Sequence, residues 1–274
     1  MHGYTQFAHD MTPHLQPKAS NTLAVNVRNE GRNSRWYSGS GIYRHVHLRV
    51  TGGCRLPLGG VSVTTPDISE NKASVKIAVR IENQGAHDEN VSVRIRLLTH
   101  VDKEVAARQL TQSIKSGTTA DLENTLEIDS PRLWSIASPS LYRAEVSVLT
   151  GGSESDRYTT NFGVRKIEVD AERGLRINGE EVKLKSGCVH HDNGLLGATA
   201  IDRAEERKVE LMKHYGFNAI RTSHNPPSTA FLDACDRLGV VVIDEFFDQW
   251  EKQKSPDDYH LYFTLLSKPL THYL

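Results

Sequence analysis

Cysteine is scarce in this 274-residue chain, and the three present, Cys54, Cys188 and Cys235, lie far apart with no CxxC pair. An odd, scattered set builds neither a disulfide framework nor a thiolate metal knot, so all three are expected to be reduced, buried and inert. Excess charge of either sign is lacking too: 33 Lys and Arg face 34 Asp and Glu. Without a broad positive field, nucleic acid is a poor partner. Missing as well is any apolar run near the roughly 20 residues a membrane helix needs. The opening MHGYTQFAHD has neither the basic start nor the apolar stretch of a signal peptide. The expectation is a soluble chain with no membrane partner, cytoplasmic as it stands, with the compartment of a full-length protein left open.

The length suits two ordinary domains or one large barrel. Up to about residue 165 the dominant signal is period-two alternation, which puts apolar side chains on one face of a half-buried strand. Leu23, Val25 and Val27 alternate with polar residues, as do Val46, Leu48 and Val50. The pattern recurs at Val75 to Ile81, Val91 to Leu97, Tyr142 to Val148 and Tyr158 to Val164, with Gly-rich turns between. The segment TGGCRLPLGG marks a boundary near residue 55. Residues 57 to 165 then supply about the seven strands of an immunoglobulin-like sandwich. Residues 1 to 50 supply too few for a closed domain, and read as the tail of a larger sandwich.

After residue 175 the pattern becomes βαβαβ. A strand is expected over Val182–Val189, a helix over Asp202–Tyr215 with Asp202 as N-cap, and a second strand over Ala219–Ser223. A second helix over Ser228–Leu238 is closed by Gly239, and Val240–Ile243 reads as a buried parallel strand. Three strands and two helices are less than half of a (β/α)₈ barrel, so the expected fold is multidomain, β plus α/β, ending in the N-terminal part of a TIM barrel.

Functional side chains of such barrels gather where strands finish. The first strand runs into His190, His191 and Asp192, the second into His224 and Asn225, the third into Asp244 and Glu245. A polar loop residue at one strand end means little; three coincident ends point to a site. Adjacent His190 and His191 diverge on an extended chain, which disfavours a shared metal, whereas neutral imidazoles suit the hydroxyls of a polyol. Asp244 and Glu245 diverge as well, so they are not expected to act as the paired carboxylates of a retaining glycosidase. A supporting role falls to Asp244. Trp134 is expected in the sandwich core, and Trp250 beside the pocket as a sugar-stacking platform, with Trp36 a further candidate for stacking.

The stretch NAIRTSHNPP (Asn218–Pro227), followed by Phe231, Leu232, Asp236, Gly239 and VVVI, resembles a signature of family 2 glycoside hydrolases of the β-galactosidase and β-glucuronidase type. Asn225 stands where the best-known form has Tyr. SRWYSGSGIYRHVHL resembles the end of that family's jelly-roll sugar-binding domain, PRLWSIASPSLY and NFGVRKIEV its immunoglobulin-like domain, and GLRINGEEVKLKSGCVHHDNG its first barrel strand. The resemblance implies three domains: residues 1–55 the C-terminal part of the jelly roll, 56–166 the immunoglobulin-like sandwich, and 167–274 the first βαβαβ part of the barrel. It implies that His191 and His224 contact substrate and that Arg221 supports pocket carboxylates, with Asp192 and Asn225 beside them.

The family's acid/base Glu, on a fourth barrel strand, and its nucleophilic Glu, on a seventh, are matched by nothing here. TLLSKPLTHYL contains no Glu. The expectation is therefore an incomplete chain with no catalytic residue of its own, lining a site for a β-linked oligosaccharide or glycoside. No cofactor is expected, and DEFFDQWEKQK carries no His to complete the Mg²⁺ site of some relatives. Homo-oligomerisation of a full-length protein stays open. Two alternatives remain: a non-catalytic carbohydrate-binding or interaction module, and a metal-dependent barrel hydrolase.

Overall fold

The structure, a computed structural model, describes residues 4–28 and 40–245. Its centre is a sandwich of eight strands: β1 (Cys54–Arg55), β2 (Val61–Ile68), β3 (Lys72–Asn83), β4 (Glu89–Thr99), β5 (Glu104–Ile114), β6 (Thr119–Asp129), β7 (Tyr142–Thr150) and β8 (Ser153–Phe162). In one sheet β3 takes β6 on one edge and both β2 and β1 on the other; the second has the order β5-β4-β7-β8. All pairings are antiparallel. The alternation read from the sequence lands on the inner faces. Val75, Ile77, Val79 and Ile81 of β3 meet Val91, Val93, Ile95 and Leu97 of β4 and Ala144, Val146 and Val148 of β7 in one core, each no more than 2 % exposed. β2 to β8 are the seven expected strands.

A small antiparallel sheet follows, β9 (Ile167–Asp170), β10 (Gly174–Ile177) and β11 (Glu180–Glu181). It leads into a parallel sheet in the order β12-β13-β14, formed by β12 (Ser186–Val189), β13 (Ala219–Thr222) and β14 (Val241–Ile243). Helices α1 (Asp202–His214) and α2 (Thr229–Leu238) make the two crossovers. They cover the sheet with a second core of Val209, Ile220, Phe231, Ala234, Cys235 and Val240. Ser228 caps α2, its hydroxyl accepting from the Phe231 N–H at 3.2 Å, and Gly239 ends it in the left-handed region at φ 69°.

Trp134 is where sandwich and barrel meet. It is buried as expected, yet its indole N–H donates to the carbonyl of Asp236 on α2 at 2.7 Å, and the Arg165 guanidinium lies 4.4 Å from its ring centre. Lys213 of α1 ties the same joint, donating to the carbonyls of Ile136 and Gly239 at 2.9 Å each.

Four expectations need correction. The alternating segments at Leu23–Val27 and Val46–Val50 lie in no strand, and their apolar side chains are exposed, Leu48 and Val50 by 80 and 85 %. Alternation yields a strand only where a neighbour supplies the ladder, and no described residue does so here. Cys188 is exposed, because among the described residues β12 is an edge strand and the helices cover one face of the sheet. Ile243 at the end of β14 is 45 % exposed for the same reason, so this is not a fully buried strand. Asp202 is the first residue of α1 and Ile201 its N-cap; the Asp202 carboxylate instead meets His45 Nε2 at 2.6 Å.

Candidate functional site

The parallel register sets the site. Val189 lies opposite Thr222, and Arg221 opposite both Cys188 and Ile243, so the three strands finish nearly level. Their following residues therefore share one edge of the sheet. His190 and His224 meet there edge-to-face, ring centres 5.8 Å apart. His191 turns the other way, as expected of neighbours on an extended chain, and packs edge-on against Tyr4 at 5.0 Å and Tyr43 at 6.3 Å. Burial lowers the His191 imidazole below the usual histidine range; Asp192 beside it opposes the shift, while His190, Arg44 and Lys208 add to it. The ring is thus held neutral.

The carboxylate that organises the site is Glu245, not the Asp244 singled out from the sequence. Its Oε1 accepts from Arg221 Nε at 2.5 Å, its Oε2 lies 2.7 Å from His224 Nδ1, and its N–H donates to Thr222 Oγ1 at 3.1 Å. A carboxylate on Nδ1 fixes the imidazole's orientation and keeps the proton on that nitrogen. Arg221 also donates to Cys188 Sγ at 3.3 Å; that bond and the Glu245 contact raise its pKa, so it stays charged. Asp244 turns to the Thr222 hydroxyl at 3.2 Å, and desolvation raises its carboxyl although the residue as a whole is exposed. The Ser223–His224 peptide is cis.

Beneath the histidines lies a second carboxylate, overlooked from the sequence. Glu205 of α1 is 4 % exposed and accepts from Asn193 Nδ2 at 2.6 Å, Ser228 Oγ at 2.7 Å and Lys208 Nζ at 3.2 Å. Lys208 reaches on to the His190 carbonyl at 3.3 Å. One buried acid thus joins the loop after β12, helix α1 and the cap of α2. Helical spacing held the clue: Glu205 stands four residues before buried Val209, on the inward face of α1.

The segment before the sandwich completes the site. Arg44 donates to the Tyr4 carbonyl at 2.8 Å and to the Pro226 carbonyl at 2.7 Å, which pins the loop carrying His224 and Asn225. A cavity of about 20 Å³ is lined by Tyr43, Arg44, His191, Glu205, Ser223 and Asn225, among others. The structure therefore brings His191, Asn225, Arg221 and His224 to one end of the sheet, with Asp192 in the same loop as His191. Trp250 and Trp36 lie outside the described residues. No group of three or more His, Cys, Asp or Glu among the described residues is arranged to hold a metal.

Comparison with known proteins agrees in sequence and in fold. Residues 60–165 match the family model for glycosyl hydrolases family 2, and residues 167–251 the model for that family's TIM barrel domain. Beta-galactosidase BoGH2A of Bacteroides ovatus is 41 % identical over 263 residues, which cover 96 % of this chain and 31 % of that protein. A putative beta-glucuronidase of Formosa agariphila is 37 % identical, over 94 % of this chain and 24 % of its own length. The solved structure of a family 2 glycosyl hydrolase from Bacteroides cellulosilyticus superposes with a TM-score of 0.82 at 44 % identity, over 87 % of this chain and 31 % of that one. The chain spans about a third or less of the length of these relatives. With both its sandwich and its partial barrel matched, the chain belongs to glycosyl hydrolase family 2.

Proposed function

We propose that this chain supplies the sugar-facing floor of a retaining β-glycosidase acting on terminal β-linked sugars, galactosides first. The observation that carries the reading is the Arg221–Glu245–His224 chain at the end of the parallel sheet. It orients an imidazole without leaving Glu245 available for chemistry. His191, neutral and packed edge-on against two tyrosines, offers a second polar ring beside it. Imidazoles, Asn225 and Asp192 are groups that exchange hydrogen bonds with the hydroxyls of a pyranose. The name of the 41 % identical Bacteroides ovatus protein supports galactoside as the glycone.

In a retaining mechanism one carboxyl protonates the leaving oxygen and another attacks the anomeric carbon. Glu205 and Glu245 are both committed to partners within the protein, so neither takes those roles. The 274-residue polypeptide is accordingly expected to bind but not to turn over. Within this reading, residues 1–55 are the C-terminal part of a jelly-roll sugar-binding domain, 56–166 the immunoglobulin-like sandwich, and 167–274 the opening of the barrel. The exposed row of Leu23, Val25, Val27, Val46, Leu48 and Val50 supports the first assignment, as the inner face of a larger sheet.

Titration with methyl β-galactoside, followed through the imidazole C–H signals of His191 and His224, tests the proposal. Saturable shifts with a dissociation constant of about 1 mM or weaker are expected, lost in H224A, together with no hydrolysis of p-nitrophenyl β-galactoside. Unmoved imidazole signals at saturating sugar, or turnover by this polypeptide, would overturn it. Methyl β-glucuronide in parallel decides the glycone.

A further inference from the structure

Three residues that line the cavity beside His191 each carry a buried polar atom. Tyr43 Oη, Arg44 Nε and Ser223 Oγ are each closed off from solvent without a hydrogen-bond partner in the protein, and all three residues line the same space. Ser223 is 5 % exposed overall. Arg44 donates from its two terminal nitrogens to the carbonyls of Tyr4 and Pro226, while its Nε–H is buried without a partner. A buried hydroxyl or N–H without a partner is destabilising, because its lost hydration is not replaced. Three of them around one void are most economically satisfied by one shared guest.

Size and charge define that guest. One water needs roughly 10–15 Å³ of room, which the 20 Å³ here provides and a pyranose ring far exceeds. Arg44 in the lining repels a cation. Glu205, in the same lining, pairs with Lys208 at 3.2 Å, so those two charges offset each other. A small neutral molecule able to accept one hydrogen bond and exchange two with hydroxyls fits all three atoms, and three bonds are the usual complement of a buried water.

We infer that this cavity is the site of one ordered water, bonded to Arg44 Nε, Tyr43 Oη and Ser223 Oγ, which joins the segment before the sandwich to the barrel strand that carries His224. Tyr43 packs against His191, and Ser223 immediately precedes His224. The water thus couples both site histidines to a segment more than 140 residues earlier in the chain. This joint does not depend on the sugar reading above.

Crystals of the 274-residue chain grown with sodium bromide test it directly. A peak within about 2.7–3.2 Å of the three atoms, with no anomalous signal, is expected. An anomalous bromide peak would replace the water with an anion, and a dry, contracted cavity would remove the site; either overturns the inference. In solution, water-to-protein NMR transfer to the Arg44 Nε–H should show a long-lived water in the wild type and lose that signal in Y43F combined with S223A. Should the double variant fail to fold, Y43F alone is expected to weaken the transfer several-fold. Unchanged transfer in Y43F counts against the assignment.

Discussion

Replacing Glu205 by Ala should unfasten the barrel portion while leaving the sandwich intact. The acid's side chain is 5 % exposed and that of its partner Lys208 16 %, so the pair is shielded from solvent. Removing one member of a buried pair costs about 3–5 kcal/mol, because the remaining charge is stranded. Here Lys208 keeps the His190 carbonyl at 3.3 Å and some contact with water, which places the expected loss near the lower end, about 3 kcal/mol. Asn193 and Ser228 lose acceptors in the same step. Glu205→Gln keeps the shape and one neutral acceptor but loses the charge, so about 1–2 kcal/mol is expected. Lys208→Met in the Glu205→Ala background should recover part of the loss, since the stranded ammonium is then gone. Hydrogen exchange resolved by peptide is the assay. Protection should fall across α1, β13 and α2 and stay unchanged across β3, β4 and β7. A loss under about 0.5 kcal/mol in Glu205→Ala, or further destabilisation on adding Lys208→Met, refutes the argument.

The three thiols should react very unequally with Ellman's reagent at pH 8. Cys235 is buried and its thiol is pushed up to about 12 by desolvation, with Asp236 adding to the shift; burial raises Cys54 as well. Cys188 is exposed, so one fast equivalent is expected from native protein and three from denatured; two or more fast native equivalents would contradict the burial. The His191 imidazole should titrate with a midpoint below the ordinary 6.5, because burial disfavours its charged form. Its folded pKa lies below the unfolded one, so its stability contribution is complete above about pH 6.5 and is lost as pH falls through the folded midpoint. An NMR midpoint at or above 6.5 for its ring would reverse that sign. Gly239→Ala places a methyl against the Ile136 carbonyl at a left-handed residue, φ 69°. About 1 kcal/mol of backbone strain and a further 1–3 from the clash should appear in urea melts, and a variant as stable as the parent would show that the joint yields.

What could be read in advance was whatever repeats with a period. The strands β3, β4 and β7 of the sandwich core are legible because each carries four or more alternating apolar residues, and the resulting burial follows from the pleat alone. The helices are bounded to within a residue or two because Ser228 and Gly239, and Gly216 at φ 85° just past α1, act locally. The Leu23–Val27 and Val46–Val50 segments carry the same pattern and form no strand. Alternation reports a face that could be buried, whereas the ladder needs a second segment that the pattern itself does not name.

The site obeys a different rule. Its location was legible because three strand ends coincide in chemistry, but the partner of each charge was not. Asp244 and Glu245 are adjacent and equivalent in composition, and what separates them is which way each turns beyond Ile243: one toward Thr222, the other toward Arg221 and His224. Arg221 leaves β13 level with Ile243, two residues before Glu245, so the parallel register sets which carboxylate it can reach. Register in turn rests on Asn218, whose side-chain oxygen accepts from the Lys185 N–H at 2.7 Å and whose amide donates to the Lys183 carbonyl at 2.9 Å, holding β12 in step with β13 before either strand begins. The Asn that opens the signature stretch is therefore the residue that aligns the strands, and the Arg and His that follow it meet Glu245 because of that alignment.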